Sequence, residues 1–384
     1  MNSVPKNRVV IIRSNPINPD SRVEKEALSL AESGFKVQIL CWDRDSNHKE
    51  ERSYLSIGGI NIPITRLGYK SSYGEGLKNI IPYLKFQFAM RRWLKNKADT
   101  IDIVHACDFD TAFFSYKLVL RMKKKLVFDI FDFICGKPKN ILQKYVKKSQ
   151  LKIINHADAT IICTEMRQKQ IEGSNPKKLI VIHNSPSNKQ LDHNINVFDR
   201  DGELPRVCYV GILQDGRLLR EIGEYFSLNS DVEFHVGGFG YLESYFDDLS
   251  KKHDNIKYYG RLPYSKTLEL EYNSDILLAI YDPSVENNVF AAPNKFYESL
   301  FLGKPIIMVK NTGMSEVVYN NKIGTLIDFS LKGFELGMND LLSRKDEWKS
   351  MSIKAKKLYE EEYNWEIMKE RLCSLYGFLS GEEQ

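Results

Sequence analysis

The chain has 384 residues, 42% hydrophobic and 27% charged, with a formal net charge of +5. That length exceeds what one hydrophobic core usually serves and suits two domains. The composition is that of a water-soluble globular protein and excludes extended disorder, and no apolar run reaches the roughly 18 to 20 residues needed to cross a bilayer.

The start, MNSVPKNRVVII, runs straight into a strand pattern without a cleavage site, so a cytoplasmic location is expected. Six cysteines, at 41, 107, 135, 163, 208 and 373, form no CxxC pair and read as reduced thiols. The charge is unevenly spread: residues 1–200 hold 34 Lys+Arg against 20 Asp+Glu, and the remainder 21 against 30, which gives +14 and −9. A basic first half suits an anionic surface or substrate. Its basic residues are not interleaved with the stacking aromatics of a nucleic-acid module, so no nucleic-acid partner is expected.

From Val9 onward, short β-branched or aromatic runs alternate with helical stretches, the pattern of a parallel sheet covered by helices. In the first half, strands are predicted at VVII, VQIL, IPITRL, DIVHA, LVFDI, ATIICT and LIVIHN, with helices near 21–33, 77–97, 110–123, 138–155 and 165–172. Residues 185–205 have neither period and are rich in Asn, Asp, Ser and Pro, as a linker would be. A second alternation follows, with strands at RVCYVG, VEFHVGG, IKYYG, ILLAIY, PIIMV and GTLID. The expected fold is α/β: two Rossmann-like doubly wound domains, 1–190 and 205–363. The apolar spacing of 364–384 predicts a terminal helix. Doubly wound domains bind ligands at the carboxyl ends of their strands, so two of them facing a cleft would hold one substrate each, which suggests group transfer.

The stretch APNKFYESLFLGKPIIMVKNTGMSEVV, residues 291–317, carries the most chemistry. Pro293 suits a helix start, Gly303 its end and Pro305 the next strand. Asn294, Lys295 and Glu298 then fall near a helix N-terminus, where free amides and the dipole favour a diphosphate. Glu298 can accept two hydrogen bonds from a ribose diol. This stretch resembles the donor-binding signature of family 4 glycosyltransferases of the GT-B fold, a resemblance that extends more weakly over nearly the whole chain.

Several features follow from that resemblance. VCYVGILQDGRLLREI, residues 207–222, resembles the family's glycine-ended strand and diphosphate loop, with Gly211 at the turn and Arg217 in the place of the usual Lys. Ile212 stands where the family has an Arg, and Lys295 or Arg261 is the candidate replacement cation. VEFHVGGFG matches the family's strand-Gly loop, so Gly237 and Gly238 are expected to present amides beside the nucleotide. Phe290 replaces the family's first glutamate, leaving Glu286 or the loop Asn288–Ala292 to meet the sugar.

In the first domain, DIVHACDFD resembles the family's strand ending in His, which would set His105 at the cleft and Asp108 on a sugar hydroxyl. FDIFDF would bring Asp129 or Asp132 to the same cleft. Asp20 reads as a helix cap, and Arg22, in a first turn where the dipole opposes it, calls for an anion such as a phosphate.

The resemblance implies a retaining transferase acting on a nucleotide-sugar, UDP-sugar favoured, with the terminal helix crossing back to the first domain. His105, Asp108, Arg217 and Lys295 are the candidate catalytic residues. Gly211, Gly237, Gly238, Arg261, Pro293, Asn294 and Glu298 join Arg217 and Lys295 at the donor. No Asp-x-Asp motif sits in the setting of a metal-bound donor site, so neither metal nor cofactor is expected. The acceptor would be a sugar or lipid-linked sugar of bacterial polysaccharide synthesis. LKNIIPYLKFQFAMRRWLKNK, residues 77–97, would serve either as an amphipathic helix on an anionic membrane face or as one packed on its own domain. A non-catalytic partner subunit and a sugar-nucleotide epimerase are the alternative readings.

Overall fold

A computed structural model describes residues 7–71, 76–134, 136–187, 198 and 202–381. The chain divides into two compact units, residues 1–183 with 368–384, and residues 184–367. Much of the expected linker, and Cys135, lie outside the described residues.

The first unit holds strands β1 (Arg8–Arg13), β2 (Lys36–Asp43), β3 (Glu51–Ile57), β4 (Ile60–Gly68), β5 (Ile103–Cys107), β6 (Lys125–Ile130), β7 (Ala159–Ile162) and β8 (Leu179–Val181). Their order across the sheet is β3-β4-β2-β1-β5-β6-β7-β8. All neighbours pair in parallel except β3 and β4. The run Val9–Ile12 is wholly buried, as expected of a central parallel strand covered on both faces.

Helices α1 (Ser21–Glu32), α2 (Ile80–Asn96), α3 (Asp108–Arg121) and α4 (Ile141–His156) supply that cover. Asp20 caps α1, its side chain accepting from the Val23 amide. Pro82, which reads as an interruption, falls in the first turn of α2, where its missing N–H has no intrahelical partner to lose. The stretch 165–172 holds only a 3₁₀ turn, Glu165–Lys169.

The second unit holds β9 (Arg206–Ile212), β10 (Glu233–Phe239), β11 (Ile256–Tyr258), β12 (Ile276–Ala279), β13 (Ile306–Val309) and β14 (Gly324–Ile327). They lie in the order β11-β10-β9-β12-β13-β14, all parallel. Its helices are α5 (Leu219–Leu228), α6 (Glu243–Lys252), α7 (Tyr264–Tyr272), α8 (Glu286–Val289), α9 (Asn294–Leu302), α10 (Ser315–Asn321), α11 (Leu331–Ser343) and α12 (Trp348–Leu358). Both units are thus doubly wound α/β sheets with their own cores, in line with the expected fold class.

The last helix, α13 (Trp365–Ser380), belongs from Met368 onward to the first unit. There Tyr376 packs edge-on against Phe35 at 5.6 Å, Lys369 pairs with Glu32 at 2.7 Å, and Arg371 donates to the Val181 carbonyl at 3.2 Å. Among the described residues, no helix is long and apolar enough to cross a membrane.

Candidate functional site

In the second unit the candidate residues gather where β9 and β12 end. Tyr209, midway along β9, is buried and donates its hydroxyl to the carbonyl of Ile212, the strand's last residue, at 3.0 Å. On one side the Lys295 ammonium lies 4.9 Å from the centre of its ring. Beside it, the Arg217 guanidinium stacks 3.7 Å over Tyr281, just past β12. No ion pair holds either cation among the described residues. Two cations therefore meet at one strand end and rest on aromatic faces, which stabilise positive charge without neutralising it.

Lys295 comes from the first turn of α9, where Pro293 is the cap and not the first helical residue. It is only 9% exposed. Burial works against its charge, but Tyr209 and Tyr281, then the Glu298 carboxylate and the Glu271 carboxyl, outweigh that and raise its pKa above the ordinary lysine value. The ammonium thus stays charged. A methyl group on Gly211 would come within 2.9 Å of its Nζ, so the bare backbone of that turn is what lets Lys295 lie there.

The glycines of β10 act differently from expectation. Gly238, at φ 139°, has no room for a Cβ, which would stand 1.8 Å from the Gly211 carbonyl oxygen. Its amide donates to the Gly260 carbonyl at 2.7 Å, and a methyl on Gly237 would meet Leu262 at 2.9 Å. These residues let two strand ends pack against each other, and the Gly238 amide is already spent within the fold. Arg261 is exposed and stacks 4.8 Å over Phe239, with no contact to Lys295 or Arg217. Asn294 is exposed and accepts from the Asn184 side chain at 2.9 Å.

Glu298 shares the buried face of α9 with Lys295 and is 2% exposed. Its carboxylate takes hydrogen bonds from the Tyr264 hydroxyl and from Glu271. Burial, then the charge of Glu298, raises both Tyr264 and Glu271 well above their ordinary values, so both keep their protons and donate. Glu271, Tyr264, Tyr209 and Tyr281 were not singled out from the sequence. The available signal was α7 itself, where Tyr264, Leu268 and Glu271 make an i, i+4, i+7 stripe that places a carboxylate on an apolar face.

Phe290 and Glu286 belong to a segment that includes the short helix α8. The amide of Gly313 donates to the Asn288 and Val289 carbonyls at 3.2 and 3.0 Å, which fastens this loop to the one after β13.

In the first unit, His105 does not reach a ligand-accessible position. It sits mid-sheet, paired in register with Ile11 and Val127, and has no exposed surface. Its Nδ1 meets the Tyr376 hydroxyl at 2.7 Å and its Nε2 meets Asp129 at 3.3 Å. Asp129 is likewise buried, and Arg22 binds it at 2.9 Å and the Ile182 carbonyl at 2.7 Å. The anion that Arg22 calls for is therefore the protein's own carboxylate, not a phosphate. Burial and then Asp129 raise Glu26 well above the carboxylate range, so it stays neutral beside them.

Asp108 begins α3 in left-handed backbone at φ 65°. One carboxylate oxygen accepts from the Phe131 and Asp132 amides at 3.0 and 3.1 Å, and the other pairs with Arg13. Burial pushes its carboxyl up to about 6 against the opposing pull of Arg13. Asp108 holds the β5 and β6 loops together, which leaves it little capacity for a sugar hydroxyl. Asp132 is exposed and pairs with Arg167 at 3.0 Å.

Donor atoms of His105, Cys107 and Asp129 lie within 4.8 Å of one another. They fit a divalent metal poorly, because Arg22 already neutralises the carboxylate and burial raises the Cys107 thiol, which keeps it protonated.

Residues 22–185 match the family model described as Glycosyltransferase Family 4. No curated protein matches the chain. Among solved structures, a sucrose-phosphate synthase from Thermosynechococcus elongatus superposes with a TM-score of 0.75 at 13% identity, covering 98% of this chain and 100% of that one. HepE from Anabaena in complex with UDP gives 0.68 at 11% identity, covering 96% and 98%. A glycosyltransferase from Rickettsia africae gives 0.67 at 13% identity, covering 99% and 100%. With two doubly wound units, a family 4 match over the first and such likeness over nearly its whole length, the chain is a glycosyltransferase of the GT-B fold, similar to those of family 4.

Proposed function

We propose that the second unit binds the diphosphate of a nucleotide-sugar at the ends of β9 and β12, and that the enzyme transfers the sugar with retention of configuration. The observation that carries this reading is the meeting of Lys295 and Arg217 on the faces of Tyr209 and Tyr281, two cations without ion-pair partners among the described residues. A diphosphate supplies the negative charge that this strand end lacks. The bond from the anomeric carbon to the diphosphate breaks as the acceptor oxygen bonds to that carbon from the same face, and the acceptor's proton passes to the leaving diphosphate oxygen. The two cations stabilise the charge that develops on that oxygen, so neither a protein nucleophile nor a metal ion is called for.

Glu298 is the proposed ribose partner, exchanging the Tyr264 hydroxyl for the ribose diol. UDP is the favoured nucleotide, supported by the UDP held in the HepE structure. The acceptor is proposed to be a lipid-linked or free oligosaccharide of bacterial surface polysaccharide synthesis. It would be met by the basic first unit at the inner face of the plasma membrane.

Calorimetric titration with UDP, GDP and ADP tests the donor reading. One nucleotide is expected to bind, with affinity reduced at least tenfold in Arg217→Ala and Glu298→Ala and unchanged or improved in Tyr264→Phe. Absence of binding by all three nucleotides would remove the donor site.

A further inference from the structure

A second feature of the first unit is a cavity of about 210 Å³ bounded by β2, β3, β4 and the end of α2. Arg52 of β3 stands opposite Thr65 of β4, Tyr54 opposite Pro63, and Thr65 opposite Leu40 of β2. Side chains alternate between the two faces of a sheet, so Arg52, Tyr54, Thr65 and Gln38, two residues before Leu40, share one face. Helix α2 packs on β4. Trp93 and Lys97, four residues apart and therefore on one side of the helix end, complete the wall.

Two groups in that wall lack partners. Trp93 is 7% exposed, and its buried Nε1–H has no hydrogen-bond partner among the described residues. A buried donor left unpaired costs free energy that a ligand oxygen would recover. The Lys97 ammonium forms no ion pair among the described residues, whereas Arg52 is neutralised by Glu50 at 2.6 Å. No carboxylate is among the described residues of the wall. Tyr54, 70% exposed, adds an aromatic ring at the rim. Hydrogen-bonding groups beside aromatic rings suit a sugar, which presents hydroxyls at its edge and C–H groups on its face. The volume lies below the roughly 300 Å³ at which pockets for larger ligands begin, and so suits a single ring. One unpaired cation matches a carboxylate, with one negative charge, better than a phosphate monoester, with about −1.5 to −2. Thr65 and Gln38 lie roughly 10 and 17 Å along their strands from the carboxyl ends Gly68 and Asp43. The cavity therefore stands apart from the strand ends at which a doubly wound domain holds its reacting ligand.

We propose that this cavity is a non-catalytic saccharide site that takes one uronic acid unit, its carboxylate on Lys97, an oxygen accepting from the Trp93 N–H and its ring beside Tyr54. Such a site holds an acidic sugar chain on the enzyme away from the reacting edge of the sheet. The proposal goes beyond the donor reading above and does not rest on it.

Ligand-observed NMR titration of the full chain with glucuronate, glucose and glucose 6-phosphate tests it. Glucuronate is expected to bind at least fivefold more tightly than glucose, and more tightly than glucose 6-phosphate. Lys97→Gln should bring glucuronate down to the level of glucose, while Lys95→Gln, the same charge change at an exposed position of α2, should leave the preference intact. Trp93→Phe keeps a ring and removes the N–H, so it should weaken glucuronate and glucose several-fold alike. Urea midpoints close to that of wild type show that the variants are folded, and Lys97→Gln, at the surface, decides the matter if Trp93→Phe is not. Calorimetry with UDP on the same variants reads the donor site separately and should give the wild-type affinity. Equal binding of glucuronate and glucose by wild type overturns the proposal, as does a preference that survives Lys97→Gln or falls equally in Lys95→Gln. Tighter binding of glucose 6-phosphate would mark a phosphate site and overturn it as well.

Discussion

Lys295 keeps its charge where water scarcely reaches it, because two phenols and two carboxyl groups offset the burial that opposes it. A buried cation resting on aromatic faces, with no ion-pair partner among the described residues, is poised for an anionic ligand. Gly238 is the backbone counterpart of that arrangement. Gly238→Ala forces a Cβ to within 1.8 Å of the Gly211 carbonyl at a φ of 139°, and we expect it to destabilise the protein by about 3 kcal/mol or more, read from the urea midpoint.

His235 gives the second unit a pH dependence. It is 3% exposed, with the Tyr259 hydroxyl on Nδ1 at 2.7 Å and Glu233 on Nε2 at 3.1 Å. Burial and then the charge of Arg206 bring its pKa down to about 4, although Glu233 acts in the other direction. The unfolded chain therefore binds the extra proton first as pH falls, and stability declines between the ordinary histidine value of about 6.5 and pH 4. His235→Gln should flatten that part of the stability curve, measured by urea unfolding across the same range.

At the scale of elements, α13 is held to the first unit partly through one buried hydrogen bond, Tyr376 to His105. Tyr376→Phe should cost about 1 kcal/mol in stability, and Tyr376→Ala, which also empties the contact with Phe35, about 3 to 5 kcal/mol. Thermal unfolding distinguishes the two, and neither change should alter nucleotide affinity at the second unit.

The strands of both sheets were legible because buried parallel strands read as unbroken apolar runs, from VVII in β1 to ILLA in β12. The strand β3 was not, since ERSYLSI carries charge and alternates at an exposed sheet edge, paired only to β4. The role of His105 was misread for a related reason. A histidine two residues before a strand's end looks the same in sequence whether it faces solvent or a buried carboxylate, and only the fold brings Asp129 and Tyr376 onto it. The cations Arg217 and Lys295 were legible as residues. Their tyrosine platforms were not, because Tyr209 and Tyr281 lie in runs that read simply as strand.

Across the whole molecule, charge divides with the sequence halves, +14 over residues 1–200 and −9 over residues 201–384. The acidic half nonetheless places Lys295 and Arg217 together, so a net negative domain carries a local positive site. The most direct test of that site is the increment in affinity that the diphosphate contributes. Calorimetry would compare UDP with uridine on wild type and on Lys295→Met. The account predicts that wild type binds UDP far more tightly than uridine, and that Lys295→Met loses at least tenfold for UDP, about 1.4 kcal/mol, while its affinity for uridine is unchanged. Equal affinity for UDP and uridine in wild type, or an undiminished preference in Lys295→Met, would contradict it.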